Sequence, residues 1–321
     1  MNILSNDWDM GITLSNPVTE KDTSFIENAY FKVGVSSMQG WRVTMEDSHS
    51  VLLEMPGDPS AAFFGVFDGH GGPSIAEYAG AHLDKFITSH ESYKTGNISK
   101  AIERGFIEID NKMREDNGLL EEMSGSTAVV VLIKDNMVYC GNAGDSRAIA
   151  FVKDKTVPLS VDHKPNVPEE TRRINEAGGW VEANRVNGNL AVSRALGDYV
   201  FKMDVKKPPE EQSVTAFPDV KKGSLSRDWK FIVLACDGIW DVMSSDEVGN
   251  FVQQRLTNAV RPDTVCEELM MNCLASDVSG TQVGCDNMTV VIVQIVNLPE
   301  SSNAVNPSNM VLDWNSGADE H

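Results

Sequence analysis

The chain has 321 residues, of which 41% are hydrophobic and 23% are charged, and 47 acidic residues against 27 basic ones give a formal net charge of −20. This composition is that of a globular protein, and its acidity argues against a nucleic-acid-binding protein with a broad basic surface. No apolar run approaches the roughly 18 residues of a membrane-spanning helix.

The cysteines show no C-x-x-C spacing, and their number is odd. They are Cys140, Cys236, Cys266, Cys273 and Cys285. This pattern argues against a disulfide framework and predicts a reducing compartment. The chain begins with acidic Asp7 and Asp9 rather than the basic and apolar regions of a signal peptide. We therefore expect a cytosolic or nuclear protein.

Residues 1–28 are polar without a sustained period, which predicts an irregular N-terminal arm. Residues 10–15 fit the myristoylation pattern M-G-x-x-x-[ST]. The pattern acts only if translation starts at Met10, because Gly11 is otherwise internal. A chance match is an alternative of at least equal weight.

A strand pattern begins over residues 31–35, and a short apolar run over 61–67 predicts a buried strand that ends in the glycine-rich turn 68–72. Pro73 suits the first turn of a following helix. A second helix is predicted over about 98–116.

Short runs of β type follow, with only three residues between one run and the next. They cover residues 126–133, 137–143, 147–152 and 156–161. Strands joined so closely are expected to be antiparallel, because a parallel crossover needs a dozen or more residues.

The second half of the chain alternates helices, an irregular stretch and two more strands. The predicted elements are a helix over 168–177, an irregular stretch over 178–228, a strand over 231–236, helices over about 245–256 and 262–276, and a strand over 288–296. We interpret residues 29–296 as one α+β domain of antiparallel sheets covered by helices, with a surface insertion over about 165–228. The acidic segment 297–321 is predicted to be a disordered tail.

Acidic residues stand at the ends of several predicted strands. Asp68 follows the strand over 61–67, Asp237 follows the strand over 231–236, and Asp286 precedes the last strand. Carboxylates gathered at strand ends would repel one another, and a divalent cation removes that cost. Oxygen ligands without His or Cys favour Mg²⁺ or Mn²⁺ over Zn²⁺. Any one Asp-Gly alone is more often a turn.

Seven motifs, in order over about residues 31–296, resemble those of the PP2C (PPM) metal-dependent protein phosphatases. They are WRVTMED (41–47), FDGHGG (67–72), SGSTA (124–128), NAGDSR (142–147), AVSRALGD (191–198), ACDGIWD (235–241) and DNMT (286–289). The resemblance implies a β-sandwich flanked by helices in α-β-β-α order. It also implies a centre of two Mg²⁺ or Mn²⁺ ions, where a water or hydroxide bound to the metal attacks phosphoserine or phosphothreonine.

The resemblance also implies the roles of single residues. Asp68 would bridge both metals, Asp237 and Asp286 would complete one site, and Glu46 with the Gly69 carbonyl would complete the other. Asp145 would help Asp237 to bind a weaker third metal, while Asp47 and Asp241 would orient ligands. Arg42 would bind the phosphate, and His70 would protonate the leaving oxygen, although a histidine that merely stabilises its loop is an alternative. Arg194 and Asp198 are interpreted as structural.

Other interpretations remain beside this one. A catalytically inactive relative would act as a binding or regulatory protein, but it would have lost metal-ligating acids or the phosphate arginine. A two-metal hydrolase of small phosphoesters or nucleic acid is a third hypothesis. Cys140 lacks the spacing of a tyrosine-phosphatase loop and is expected in a strand core. The insertion's arginines, Arg172, Arg173, Arg185 and Arg194, are either a basic docking patch or ordinary charges. Phosphoproteins are the expected substrates, and the sequence gives no sign of an oligomer.

Overall fold

A computed structural model describes residues 13–278 and 283–298. Its strands are β1 (Thr13–Glu27), β2 (Phe31–Arg42), β3 (Ser48–Leu52), β4 (Ala61–Phe67), β5 (Gly69–His70), β6 (Gly125–Ser126), β7 (Ala128–Lys134), β8 (Met137–Ala143), β9 (Arg147–Val152), β10 (Lys155–Pro158), β11 (Val181–Glu182), β12 (Arg185–Val186), β13 (Leu196–Gly197), β14 (Asp219–Ser224), β15 (Trp229–Ala235) and β16 (Met288–Ile295). Its helices are α1 (Ser74–Ser89), α2 (Glu91–Lys94), α3 (Ile98–Arg114), α4 (Asn117–Glu122), α5 (Pro168–Glu176), α6 (Asp237–Trp240), α7 (Ser245–Thr257) and α8 (Pro262–Cys273).

Two antiparallel sheets form the centre of the molecule. One has the strand order β1-β2-β16-β15-β9-β10, and the other has the order β14-β8-β7-β4-β3. Valine, isoleucine and phenylalanine dominate the central strands, and these residue types pack well on a pleated surface. Inward side chains such as Phe64, Val131 and Val291 are fully or almost fully buried between the sheets.

Helices cover the outer face of each sheet. Leu83 of α1 and Phe106 of α3 belong to the core on the five-stranded sheet. Val252 of α7 and Leu269 of α8 belong to the core on the six-stranded sheet. Each large apolar side chain buried in this way contributes about 1.5–3 kcal/mol. The resulting four layers, helix–sheet–sheet–helix, confirm the predicted α+β sandwich.

Local signals fix where helices begin. The side chain of Asn97 accepts a hydrogen bond from the amide of Lys100 at the start of α3. Ser244 and Glu247 form a reciprocal capping box at the start of α7. Such caps satisfy amides that have no partner within the helix.

Residues 13–27 do not form the predicted irregular arm. They form β1, which pairs with β2 from Thr13↔Arg42 to Glu27↔Lys32. β1 lies at the edge of its sheet, and its residues are partly buried or exposed, so the strand carries no apolar period in the sequence. β3, another edge strand of intermediate burial, was also not predicted.

The short runs after residue 126 are antiparallel where they pair, as expected, but they do not all pair with the next run in the chain. β7 pairs with β8, and β9 pairs with β10, but β8 and β9 belong to different sheets. The chain crosses between the sheets at Gly144, whose φ of 121° is open to glycine. This crossing brings Asp145 to the end of the sandwich.

The predicted irregular stretch over 178–228 ends in regular structure. β14 pairs with β8 along the edge of the five-stranded sheet, so its residues belong to the sandwich. The preceding residues form the hairpin β11–β12 and the strand β13, which joins β6 and β5 in a small separate sheet.

Some predictions concern residues that the structure does not describe. The myristoylation pattern at Met10 and Gly11 lies outside the described residues, and so does the predicted tail from residue 299 onward. Of the helices in the described part of the chain, none has the length and apolar character needed to cross a membrane. All five cysteines are described, and each is buried without a disulfide, Cys140 within β8 as expected.

Candidate active site

Five aspartates from distant parts of the chain meet at one end of the sandwich. Asp68 follows β4, Asp237 follows β15, Asp286 precedes β16 and Asp145 lies in the crossing from β8 to β9. With Asp47 they form what we call the carboxylate cluster. One oxygen each of Asp68, Asp145 and Asp237 lies within 4.8 Å of the other two. The same holds for one ligand atom each of Asp47, Asp68 and Cys236.

The protein compensates the negative charge of the cluster only in part, through Arg42 at Asp286 and Lys164 at Asp145. Burial raises the pKa of Asp68 well above its ordinary value, and the carboxylates of Asp237, Asp47, Asp286 and Asp145 raise it further. Burial and then Asp145 and Asp286 raise the pKa of Asp237 in the same way. Like charges held together out of water favour the protonated form, so this arrangement is costly without a cation.

The carboxylate of Asp47 is also in an environment that disfavours its charged form. Burial is the main cause that raises its pKa to about 7. Both of its carboxylate oxygens are buried, and neither makes a well-formed hydrogen bond within the part of the chain that the structure describes. Such orphaned acceptors are rare in native structures and fit groups that face water or an ion. The donor set of carboxylate oxygens therefore fits a hard divalent cation.

Glu46 and Gly69 adjoin the cluster and are tightly packed together. A Cβ atom on Gly69 would lie 2.2 Å from the carbonyl oxygen of Glu46, so only glycine fits there. The Glu46 carboxylate accepts hydrogen bonds from the Gly72 amide at 3.1 Å and the Thr44 hydroxyl at 2.7 Å. Asn287 accepts a hydrogen bond from the Glu46 amide at 2.9 Å. This packing fixes Glu46 beside the turn that carries Asp68.

Arg42, the last residue of β2, reaches the cluster from the six-stranded sheet. Its guanidinium donates a hydrogen bond to the Asp286 carboxylate. The Arg42 side chain is 38% exposed, so it lies at the rim of the cleft. A planar guanidinium in this position suits two-pronged binding of phosphate oxygens.

His70 follows Gly69 in β5 and contacts a residue 128 positions away in the chain. Its Nε2 lies 2.7 Å from a carboxylate oxygen of Asp198. Burial lowers the pKa of His70, but the neighbouring Asp198 carboxylate, with Asp145 and Glu46, raises it above the ordinary value overall. The neighbouring carboxylates therefore favour the protonated imidazole, which is the form that can donate a proton.

Asp145 is buried and already paired with a cation of the protein. Lys164 donates a hydrogen bond to its carboxylate. Asp145 and Asp237 are among the carboxylates that raise the pKa of Lys164 above its ordinary value, although burial opposes them. Asp241 is an exposed residue near this pair. Partial burial of its carboxyl group raises its pKa, and the charges of Lys164 and Asp145 are close enough to affect that pKa as well.

The structure brings together the side chains predicted from the sequence. These are Arg42, Glu46, Asp47, Asp68, His70, Asp145, Asp237, Asp241 and Asp286, with the backbone of Gly69. Lys164 and Asn287 were not predicted, and Asp198 was interpreted as structural although it contacts His70. Asn287 and Asp198 lie within matching motifs and Lys164 lies outside them, and in none of the three cases does a local pattern show which residue the side chain touches.

Two arginines of the insertion are paired with acidic residues inside the protein. Arg173 and Arg194 are mostly buried, and both pair with Glu170, at 2.7 Å and 2.8 Å. Arg194 also pairs with Asp219. Glu170, Arg173, Arg194 and Asp219 form what we call the insertion network. These two arginines are therefore structural, as predicted for Arg194, and do not contribute to a basic docking patch.

Comparisons with known proteins agree with this geometry. A family model described as protein phosphatase 2C matches residues 31–281. A "Probable protein phosphatase 2C" of Caenorhabditis elegans is 55% identical over 287 residues, which cover 89% of this chain and 81% of that protein. Protein phosphatase 2C homolog 2 of Schizosaccharomyces pombe is 47% identical over 289 residues, with 88% and 78% covered. The crystal structure of a phosphatase from Toxoplasma gondii superposes with a TM-score of 0.73 at 28% identity, covering 88% of this chain and 98% of that one.

Proposed function

The chain belongs to the protein phosphatase 2C family of metal-dependent serine/threonine phosphatases, and we propose that its carboxylate cluster is the centre at which phosphoserine and phosphothreonine are hydrolysed. The observation that carries this proposal is the convergence of five aspartates, whose charge the protein compensates only in part, beside an arginine and a histidine. These three kinds of group suit phosphate ester hydrolysis, in which cations activate water, an arginine binds the phosphate oxygens and an acid protonates the leaving oxygen.

The residues suit two Mg²⁺ or Mn²⁺ ions. Asp68 would contact both, Asp237 and Asp286 would hold one, and Glu46 with the Gly69 carbonyl would hold the other. Asp145 with Asp237 would hold a weaker third ion, and Asp47 and Asp241 would orient ligands. When bound, such cations offset the clustered negative charge and lower the pKa of water in the site.

The protein's own groups would do the remaining work. Arg42 binds the non-bridging phosphate oxygens, because its guanidinium lies at the rim, beside Asp286. As water forms a bond to phosphorus and the P–O bond to the serine or threonine oxygen breaks, His70 donates a proton to that oxygen, since an alkoxide is a poor leaving group. The electron pair of the broken bond stays on that oxygen.

We further propose phosphoproteins of the cytosol or nucleus as substrates. The catalytically inactive alternative is not favoured, because every acid and both catalytic side chains of the matching motifs are present and gathered at one site. The acidic surface implied by a net charge of −20 also disfavours a nucleic acid substrate.

The proposal is tested by phosphate release from a phosphothreonine peptide, with Mn²⁺ or Mg²⁺ and then with excess EDTA. We expect turnover that requires the metal and that falls at least about 100-fold in Asp237→Asn. Asp246→Asn, an exposed aspartate in α7, is the matched control and should retain full activity. Turnover that persists in EDTA, or full activity of Asp237→Asn, would contradict the proposal.

A further inference from the structure

The small sheet of β13, β6 and β5 joins three motifs that are far apart in the sequence. In this sheet Gly125 pairs with His70 on one side and with Gly197 on the other. Asp198 follows Gly197 directly. The sheet has only two residues per strand, so it buries little apolar surface and contributes little to the core. Its evident consequence is to bring Asp198 onto His70.

The contact between His70 and Asp198 depends on the absence of a side chain at Gly125. A Cβ atom on Gly125 would lie 2.2 Å from a carboxylate oxygen of Asp198 and 2.4 Å from Nε2 of His70. Any other residue at position 125 would therefore separate the two side chains. The space between three chain segments is thus shaped for this pair of side chains.

The backbone of Asp198 also has an unusual conformation. Its φ is 52°, in the left-handed region, where a non-glycine residue is uncommon. Its amide donates a hydrogen bond to the Ser124 carbonyl at 3.1 Å, which holds this conformation in place. Its side chain is only 6% exposed. Burying a carboxylate at a strained position is unfavourable unless the carboxylate has a definite partner.

The neighbouring charges show which partner that is. Lys202, the nearby buried cation, directs its ammonium to Asp110 at 2.9 Å from both oxygens, and Asp110 also accepts the Gly197 amide. Within the described ranges 13–278 and 283–298, the one side chain that hydrogen-bonds to the Asp198 carboxylate is His70. The imidazole of His70 is therefore the side-chain partner of the Asp198 carboxylate.

We propose that Asp198 is a positioning residue for His70 in the phosphatase reaction. It accepts the Nε2 proton of the imidazole, which fixes the ring and leaves Nδ1 as the atom that delivers the proton to the leaving oxygen. As a water oxygen forms a bond to phosphorus, the bond from phosphorus to the serine or threonine oxygen breaks, and the electron pair of the broken bond stays on that oxygen, which takes the Nδ1 proton. The imidazole is left neutral with its Nε2 proton still on Asp198. This inference rests on the proposed role of His70.

The leaving group separates a positioning role from a purely structural one. An alkoxide needs a proton as it departs, whereas p-nitrophenolate leaves as an anion. We therefore expect Asp198→Asn to lower kcat for a phosphothreonine peptide about 10- to 100-fold and kcat for p-nitrophenyl phosphate less than about 3-fold. His70→Gln should show the same selectivity. The double variant should be no slower than His70→Gln alone, because Asp198 acts through His70.

Folding is controlled by the choice of variants. Asparagine tolerates the left-handed region and keeps the shape of the side chain. If Asp198→Asn does not fold, Asp198→Gly replaces it, because glycine adopts this φ without strain. Asp58→Asn, which removes a paired carboxylate remote from the site, should slow both substrates equally or not at all.

The outcomes separate this inference from the proposed function. Equal loss with both substrates in the Asp198 variants, or additive losses in the double variant, would overturn the positioning role while His70→Gln remains selective. If His70→Gln itself slows both substrates equally, the proposed acid is wrong, and the role of Asp198 falls with it. Selective and non-additive loss supports both.

Discussion

Buried carboxylates in two parts of the molecule have opposite electrostatic properties. In the carboxylate cluster, burial and like charges raise the pKa of Asp68 and Asp237. In the insertion network, Arg194 and Arg173 lower the pKa of Glu170 to about 2 even though burial opposes them. The insertion network supplies its own cations and stabilises the fold. The cluster lacks them at its centre, which is the property expected of a site that takes cations from solution.

The largest expected effect is on activity, in Asp68→Asn. Removing the carboxylate that all the others surround should lower turnover by about 10³-fold or more, because both proposed metal sites use it. The same change should raise the thermal stability of the metal-free protein, since it removes repulsion among buried like charges. Activity assays and thermal unfolding in EDTA measure the two effects. Lower stability in EDTA would indicate that Asp68 is already compensated.

Glu170→Gln should have the opposite pattern. Breaking a buried pair leaves two arginines without their anion, so the free energy of unfolding should fall by about 3–5 kcal/mol. Urea unfolding measures this loss. Glu169→Gln, one residue earlier and exposed, is the matched control and should change stability by less than about 0.5 kcal/mol. A loss below about 1 kcal/mol for Glu170→Gln would remove the contrast between the two regions.

The pH dependence of stability should differ with and without metal. A carboxyl whose folded pKa is raised binds protons more readily when folded, so folding becomes more favourable as pH falls through the interval between its folded and unfolded values. For Asp47 that interval runs from about 7 down to 3.8. In EDTA the free energy of unfolding should therefore rise by about 2 kcal/mol from pH 8 to pH 5.

Bound metal should abolish that rise, because it replaces the protons. Glu170 has the reverse sign: its contribution is complete above its unfolded pKa of 4.5 and is lost as pH falls towards about 2. Denaturant unfolding at several pH values, with Mg²⁺ and with EDTA, tests both. Parallel pH curves in the two conditions would contradict the account of the cluster.

The smallest expected effect concerns Lys164, which partly compensates the cluster at Asp145. Lys164→Met removes that ammonium, so cations should bind at Asp145 more tightly. We expect the Mn²⁺ concentration that gives half-maximal enzyme activity, which reports on the weakest metal site, to fall about 3- to 10-fold. Lys153→Met, an exposed lysine with a surface partner, should leave it unchanged. An unchanged or higher requirement in Lys164→Met would show that Lys164 does not compete with a cation.

Much of the site could be predicted from the sequence because its acids stand at strand ends. Asp68 and Asp237 each follow an apolar run that is buried on both faces, and such runs are recognisable without structural information. The order of the motifs then specified the fold. β1 could not be predicted because an edge strand with partly exposed faces carries no apolar period.

Contacts between distant residues lie beyond what periodicity can show. The pairing of His70 with Asp198 depends on the register of three two-residue strands, and the pairing of Asp145 with Lys164 depends on the crossing between sheets at Gly144. The burial of Arg173 and Arg194 likewise depends on the position of Glu170, which their charge alone does not reveal. In each case the sequence indicates the residue types but not their partners.

The most direct test of the central claim is a calorimetric titration of the metal-free protein with Mn²⁺, compared with Asp68→Asn. The account predicts saturable binding of two ions per chain to the native protein, with a further weak ion, and loss of both strong sites in Asp68→Asn. Saturable binding that Asp68→Asn leaves intact, or no saturable binding by the native protein, would contradict the claim that the carboxylate cluster is a metal centre.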